Sequence, residues 1–425
     1  MHQNWFIIKK STIRLTLLLV LFKIALDLSY IYVVSPIYDY SGFTISIKPL
    51  AVFESYLFVI LIGLSIPPII SRASHFFIWM LAIGAIIPNL SFYAMHSGSR
   101  IYMNAILLSF LCVVLVSKLP IAKIGTLKEG RTIGIIILIL MVFSVTFSLI
   151  TKGGLSYFNL DLRKVYDYRS AVGEIIDTGL WAYINTWVFK VINPALIAWA
   201  LWRKKYQLVV AFIALQILFF AISSHKAVLF YPVLIIVVYY VFKQKRVSEY
   251  LSWGLISVVI ISSIFSLFLD YNWLSALFTR RVFFIPAQLN FVYYDLFSSI
   301  GHVYLSNSVL SNLIAYPFDY PPPQMVSMYL YGHIDSWPND GFLATGYMHF
   351  GYVGMLVFSI IVGMLLWTLD TLVNKRIPLW LGISILIVPF YSLFTSADLF
   401  TAMLTHGILL GLIIVFVMAN RQGPL

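Results

Sequence analysis

Of the 425 residues 61% are hydrophobic and only 10% charged, with a mean hydropathy of +0.93, so the chain lacks the roughly 25% of charged residues that a soluble domain uses to cover itself. Composition therefore predicts an all-α, polytopic membrane protein forming a single integral membrane domain over residues 1–425. The net charge of +12 requires no nucleic acid, since basic loops facing anionic lipid account for it, and the single cysteine, Cys112, excludes a disulfide framework.

Apolar runs of roughly 17–25 residues, the length of a membrane-crossing helix, predict about twelve spans. They fall near 12–34, 52–70, 74–91, 101–117, 133–150, 180–201, 206–222, 227–242, 251–269, 342–372, 378–395 and 400–419. The first has no small-residue cleavage site and holds Lys23 and Asp27, so it reads as a retained helix rather than a signal peptide. Their i, i+4 spacing predicts an intrahelical ion pair, with a proton relay as the alternative. Lys190, four residues before Pro194, is placed to neutralise a buried acid. If both termini are cytoplasmic, every inner loop is basic, with clusters such as Arg203, Lys204 and Lys205, while most acids fall outside. That asymmetry fixes the expected orientation.

Two expected outer loops are too long to be connectors, 151–179 and the larger 270–341. In the larger one, apolar and aromatic residues recur at helical spacing around Arg280, Arg281, Gln288, Asn290 and Asp295, which predicts an interfacial amphipathic helix divided or kinked by Pro286. Further on, Pro321, Pro322 and Pro323 predict an extended backbone at a surface or cavity wall.

Four arginines in these outer loops are the candidate anion ligands, because a planar guanidinium holds phosphate better than lysine does. Arg280 and Arg281 either grip a phosphate or diphosphate or anchor at headgroup level with snorkelling stems. Arg163 and Arg169 either reach one ligand from successive turns or pair locally with Asp161, Asp167 and Glu174. Arg100 and Lys226 lie at expected outer helix ends and can face the same cavity; Lys226 opens a helix, where the dipole disfavours a cation. The eight histidines show no metal-ligand spacing, and no Walker loop or Gly-rich dinucleotide turn is present, so no metal site and no cofactor are expected. Tyr294 and its many neighbouring tyrosines either form an interfacial belt or stack on sugar rings.

The stretch WPNDGFLATGYMHFGYVGM, together with TRRVFFIPAQLNFVYYDLF and LRKVYDYRSAVGE, resembles the O-antigen polymerases, also called oligosaccharide repeat-unit polymerases, of Gram-negative inner membranes. In the related O-antigen ligases a histidine–polar pair is followed after nine residues by Gly-x-x-Gly. Asp340–Gly341 and then Gly351 and Gly354 fit that frame, with Asp340 where the histidine stands. The resemblance implies an inner-membrane glycosyltransferase with a periplasmic site. It would transfer the growing glycan from undecaprenyl diphosphate to the next lipid-linked repeat unit without a metal, with membrane lipids and a chain-length regulator as further partners. Arg280 and Arg281 would stabilise the leaving diphosphate, and Arg100, Arg163, Arg169, Lys226, Tyr294, Asp295, His302 and Asn339 would bind substrate. Asp340 is the first candidate for the base, with His302 and Asp295 behind it, and capping of the following helix is its alternative role. An O-antigen ligase, acting on a lipid A core sugar, and a lipid-linked oligosaccharide flippase or transporter remain open. The length of the 270–341 segment and the lack of an internal repeat count against the last.

Overall fold

A computed structural model of the chain describes residues 9–419 apart from 123, 126, 128, 162–163, 165–172, 174 and 177. Among the described residues it is helical, with no strand. In chain order the helices are α1 Lys10–Ser41, α2 Pro49–Ser65, α3 Ala73–His96, α4 Arg100–Ser117, α5 Gly130–Thr151, α6 Leu180–Trp202 and α7 Tyr206–Ser223. They continue as α8 Lys226–Val241, α9 Val247–Leu269, α10 Ile285–Ile300, α11 Pro322–Tyr331, α12 Phe342–Val373, α13 Leu379–Thr395 and α14 Leu399–Met418. Nine of these are long and apolar enough to cross a membrane, as in a multi-pass membrane protein, while α2, α8 and α13 are shorter apolar helices. Each of the expected spans coincides with one of these helices. Large apolar side chains such as Phe143, Phe147 and Phe268 are exposed along them, where hydrocarbon rather than water suits them.

Proline shapes several of the helices. Proline has no N–H and its ring crowds the carbonyl four residues back, so a plain α-helical turn ahead of it loses a hydrogen bond and is strained. Four stretches widen into π-helix and end two residues before a proline: Tyr30–Val34 before Pro36, Ala82–Ile86 before Pro88, Val188–Ile192 before Pro194, and Ser275–Phe284 before Pro286. In each, the residue before the proline donates to the carbonyl five back, as Asn193 does to Val188. Pro232 and Pro389 instead sit inside α8 and α13 without a wide turn. The Phe189 carbonyl, whose π-type donor would have been the missing N–H of Pro194, accepts Gln216 Nε2 at 2.9 Å. Asn193 Nδ2 in turn donates to Gln216 Oε1 at 2.5 Å, so the buried polar pair is tied to the backbone on both sides.

The chain folds into two compact units, residues 1–119, 245–366 and 393–399 forming unit 1 and residues 120–244, 367–392 and 400–425 forming unit 2. In unit 1, α1 packs on α2, α3 and α9, and α10 packs on α3 and α11. In unit 2, α6 packs on α5, α7 and α8, and α14 packs on α5. There Lys190 Nζ stands 3.4 Å from His406 Nδ1.

The ion pair expected within α1 is present, Lys23 Nζ lying 2.6 Å from Asp27 Oδ2 with both side chains buried. Tyr56 of α2 donates its hydroxyl to the same carboxylate oxygen at 2.8 Å, and the ammonium sits 4.3 Å from that ring's centroid. Removing one buried partner strands the other charge, whereas replacing both removes the cost of burying them. Lys23→Met is expected to destabilise the protein by about 3–5 kcal/mol and the double variant Lys23→Met/Asp27→Leu to recover most of that loss. Thermal unfolding of the detergent-purified proteins checks both.

Candidate functional site

The 270–341 segment is folded into unit 1. Its helix α10 is not laid over the surface as expected: ten of its residues, from Pro286 to Phe297, are buried, and its exposed positions gather at the C-terminal end around Asp295, Ser298 and Ser299. The π-helical turn ahead of Pro286 carries Arg280, whose guanidinium lies 4.4 Å from the Tyr38 ring centroid and 5.4 Å from that of Phe43. Arg280 Nη2 donates to Ser41 Oγ at 3.2 Å, while its buried Nε has no hydrogen-bond partner. Gln288 Nε2 donates to the Ser41 carbonyl at 2.8 Å, beneath Gly42 at φ +88°. The turn at the end of α1 is thus held by two side chains from the 270–341 segment. Arg281 is exposed.

Next to this turn lies a cavity of about 350 Å³ lined by Thr44, Phe92, His96, Gln288, Phe291 and Asp295, with Gly42, Ser97–Ser99, Val292 and Tyr329–Leu330 completing it. Rings and polar groups share its wall, as in a site for a small polar ligand with apolar faces. His96 stacks on Phe92 with 4.6 Å between ring centroids, and its Nδ1 lies 3.0 Å from the Thr44 carbonyl, which holds the ring still. Asp295 is accessible to solvent, yet the surrounding protein removes part of its hydration and raises its pKa, with His96 acting in the opposite direction.

A second polar group forms where α12 breaks. Phe350 and Gly351 leave helical geometry, Gly351 at φ 61° and ψ −146°, a conformation open in practice to glycine alone. The break brings Gly346 and Gly354 so close that a side chain on Gly354 would strike the Gly346 carbonyl. The 302–305 loop runs along this break, with Val303 N–H donating to the Met348 carbonyl at 3.0 Å and Tyr304 N–H to that of His349 at 3.2 Å. The buried His349 pins it, accepting the Leu305 N–H at Nδ1 (3.2 Å) and donating from Nε2 to Asp398 (3.1 Å). This sets the Nε2-protonated tautomer. The His302 ring lies edge-on to Tyr347, 5.5 Å between centroids, and its Nε2 would stand 3.1 Å from a Cβ at Gly351. Burial lowers the His302 pKa against the opposing influence of the Met348 carbonyl, so the imidazole is neutral at neutral pH. Tyr294 stacks on Tyr102 at 4.5 Å and packs on Tyr347 at 4.9 Å, and Tyr352 donates its hydroxyl to that of Tyr294 at 3.4 Å.

Asp340 is enclosed. Its Oδ1 accepts the Gly341 N–H at 2.7 Å, whereas the buried Oδ2 has no hydrogen-bond partner. Burial raises its pKa well above the usual carboxylate range, and the Gly341 N–H offsets this only in part. Tyr293, beside it, is also pushed up, by burial first and then by Asp340, Asp398 and Tyr316, and its hydroxyl donates to the Pro338 carbonyl at 3.1 Å. Gly341 is packed against the Phe394 carbonyl, so the Asp-Gly pair has a packing role as well.

Arg280, Tyr294, Asp295, His302 and Asp340 thus all lie in unit 1, and the 270–341 segment supplies every one of them. Asn339 is exposed, its amide bonded to the Trp337 carbonyl at 3.2 Å. Arg100 opens α4 and forms an ion pair with Glu54, which also accepts the Tyr93 hydroxyl at 2.8 Å. Lys226 opens α8 of unit 2 as expected. Arg163 and Arg169 lie outside the described residues. Of the three prolines, only Pro321 is extended, at φ −62° and ψ 151°. Pro322 and Pro323 start α11, because the first turn of a helix needs no N–H donors from them. Among the described residues no three His, Cys, Asp or Glu side chains are grouped to hold a metal ion. His96, His349, Tyr102, Tyr347 and Tyr352 were not singled out from the sequence. The closest local sign of them was the Tyr- and His-rich GYMHFGY around the Gly351 break.

Compared with known proteins, the chain matches no family model, no curated protein and no solved structure.

The environment of Asp340 sets a pH dependence. An acid whose folded pKa is raised contributes stability below its unfolded pKa, and that stability is lost as pH rises through the folded value. Asn at this position keeps the acceptor for Gly341 and cannot ionise. Asp340→Asn is therefore expected to match the wild-type unfolding temperature under acidic conditions and to exceed it increasingly as pH rises. Melting curves of both proteins across acidic to alkaline buffers measure the gap.

Proposed function

We propose that this chain is a membrane glycosyltransferase of the O-antigen polymerase type, acting on lipid-linked oligosaccharides at the end of the membrane domain that carries the 270–341 segment. The observation that carries this reading is the cavity in unit 1, where an accessible acid of raised pKa shares a wall with aromatic rings and hydroxyl groups. Such a lining suits a pyranose, whose apolar faces stack on rings and whose hydroxyls take hydrogen bonds. Arg280 supports it further, since its guanidinium is fixed over Tyr38 beside the turn that forms one edge of the cavity, with Nε still unsatisfied.

In this reading the donor is a glycan on undecaprenyl diphosphate and the acceptor is the next lipid-linked repeat unit. The acceptor hydroxyl oxygen forms a bond to the anomeric carbon as the bond from that carbon to the diphosphate oxygen breaks. The lipid diphosphate leaves with the electron pair, and the hydroxyl proton passes to a carboxylate. Asp295 is the acceptor we favour, because it lines the cavity and its raised pKa makes it a stronger base than an ordinary carboxylate. Asp340 is enclosed, and burial holds its pKa well above the usual carboxylate range, which suits a donor or a structural cap better. Arg280 and Arg281 offset the charge developing on the diphosphate, with Arg163 and Arg169 as further ligands. Twelve crossings with both termini in the cytoplasm would put the site on the periplasmic face of the inner membrane, where a chain-length regulator can act on it.

Purified protein given lipid-linked repeat units is expected to yield a ladder of polymers. Asp295→Asn should abolish the ladder and Arg280→Lys weaken it by about tenfold or more, since lysine lacks the planar fork. A full ladder from Asp295→Asn with none from Asp340→Asn would move the base to Asp340, and a full ladder from both would remove carboxylate catalysis. The topology has its own check. Reporter fusions after Lys128, Lys205, Arg246 and Arg376 should read cytoplasmic and fusions within 300–335 periplasmic; a cytoplasmic signal from 300–335 would sink the reading.

A further inference from the structure

At one end of unit 2, three apolar helices converge on an arginine held in place and left partly unsatisfied. Arg131, in the first turn of α5, donates from Nε to the Met418 carbonyl at the end of α14 at 3.0 Å. Its guanidinium lies against Trp202, the last residue of α6, at 4.8 Å from the ring centroid. These two contacts fix the plane of the group, yet its Nη2 is buried and has no hydrogen-bond partner. Directly after Trp202 come Arg203, Lys204 and Lys205, all exposed. Lys204 takes a left-handed turn at φ 54°, and Lys205 folds back so that its backbone N–H meets the Ala200 carbonyl at 2.9 Å and its ammonium stands 5.7 Å from the Trp199 ring. Glu129, the residue before α5, is exposed, makes no side-chain cap, and forms no ion pair with these cations among the described residues.

Four cations on two adjoining helix ends with no paired acid repel one another unless an anion joins them. A guanidinium held in place through its Nε keeps its charge at a fixed position, and arginine is the side chain that suits phosphate oxygens best. The uncapped N–H groups that open α5 add a further favourable field for an anion. Beyond Arg131, α5 exposes the apolar side chains of Ile133, Ile136 and Ile137, and the indole rings of Trp199 and Trp202 belong to the residue type that gathers at headgroup depth. We propose that Arg131, Arg203, Lys204 and Lys205 form a binding site for the phosphate of an anionic lipid, whose acyl chain lies along the exposed isoleucines of α5. A lipid fits better than a soluble anion because polar and apolar features continue into one another there. The inference is independent of the chemistry assigned to unit 1.

Native mass spectrometry tests this with protein exchanged into micelles containing phosphatidylglycerol or phosphatidylcholine. The wild type is expected to retain phosphatidylglycerol preferentially, and Arg131→Gln to lose about tenfold of that retention, as expected for a removed charge-assisted bond. Arg131 also anchors Met418, so Arg203→Gln, an exposed change that leaves the packing alone, supplies a second variant and should lower retention in the same direction. Lys48→Gln, exposed at the start of α2 in unit 1, should leave it unchanged. Wild-type retention in both arginine variants, or equal retention of the two lipids, overturns the proposal. Displacement of the lipid by millimolar inorganic phosphate overturns the lipid assignment in favour of a free anion.

Discussion

In a chain this apolar, backbone groups have almost no water to fall back on, and the fold depends on each helix satisfying its own N–H and carbonyl groups. Proline is the local threat to that condition. Ahead of Pro36, Pro88, Pro194 and Pro286 the backbone opens into a wider turn that keeps its hydrogen bonds while making room for the ring. Where a carbonyl is still left over, a side chain takes it up, as Gln216 does for Phe189. Polar residues buried in these helices are therefore repair groups in the first instance, and their presence alone does not mark a substrate path.

The same constraint places the candidate site. The wide turn before Pro286 carries Arg280 onto the end of α1, and the buried helix after it delivers Gln288 to the same turn and Asp295 to the cavity beyond. The break in α12 then sets His302 and the tyrosine group against α10, with His349 and Asp398 fastening the loop between them. Arginine, acid, imidazole and rings converge on unit 1 because one segment, 270–341, is folded into that unit instead of hanging outside it.

Much of this architecture was legible in the sequence because hydropathy is a local property: the expected intervals all fall on helices, and Lys23 and Asp27 pair at the spacing that their positions imply. Features that depend on neighbours distant in sequence were not. Asp340 reads as a carboxylate at a membrane edge, but only the packing of Tyr293 beside it and of Phe394 on Gly341 reveals that it is enclosed. The Pro321–Pro323 run reads as extended until one considers that a helix start asks nothing of a proline nitrogen. The cavity joins the turn after α1 to α3, α10 and α11 across almost three hundred positions, so no window along the chain contains it.

The wide turns also bear on how the chain can change length. A π-helical turn holds one residue more than the α-helical turn it replaces, so the surplus residue is already absorbed within Val188–Ile192. Loss of a residue there would leave the faces of α6 on either side in their present alignment, whereas loss elsewhere in the helix would rotate everything after it by about 100°. Pro194 favours keeping the surplus in place, since a plain α-helical turn before it would crowd its ring and leave a carbonyl without its donor. Versions of this sequence in which position 194 is not proline are therefore free to be one residue shorter at that point, with their buried side chains still meeting the same partners.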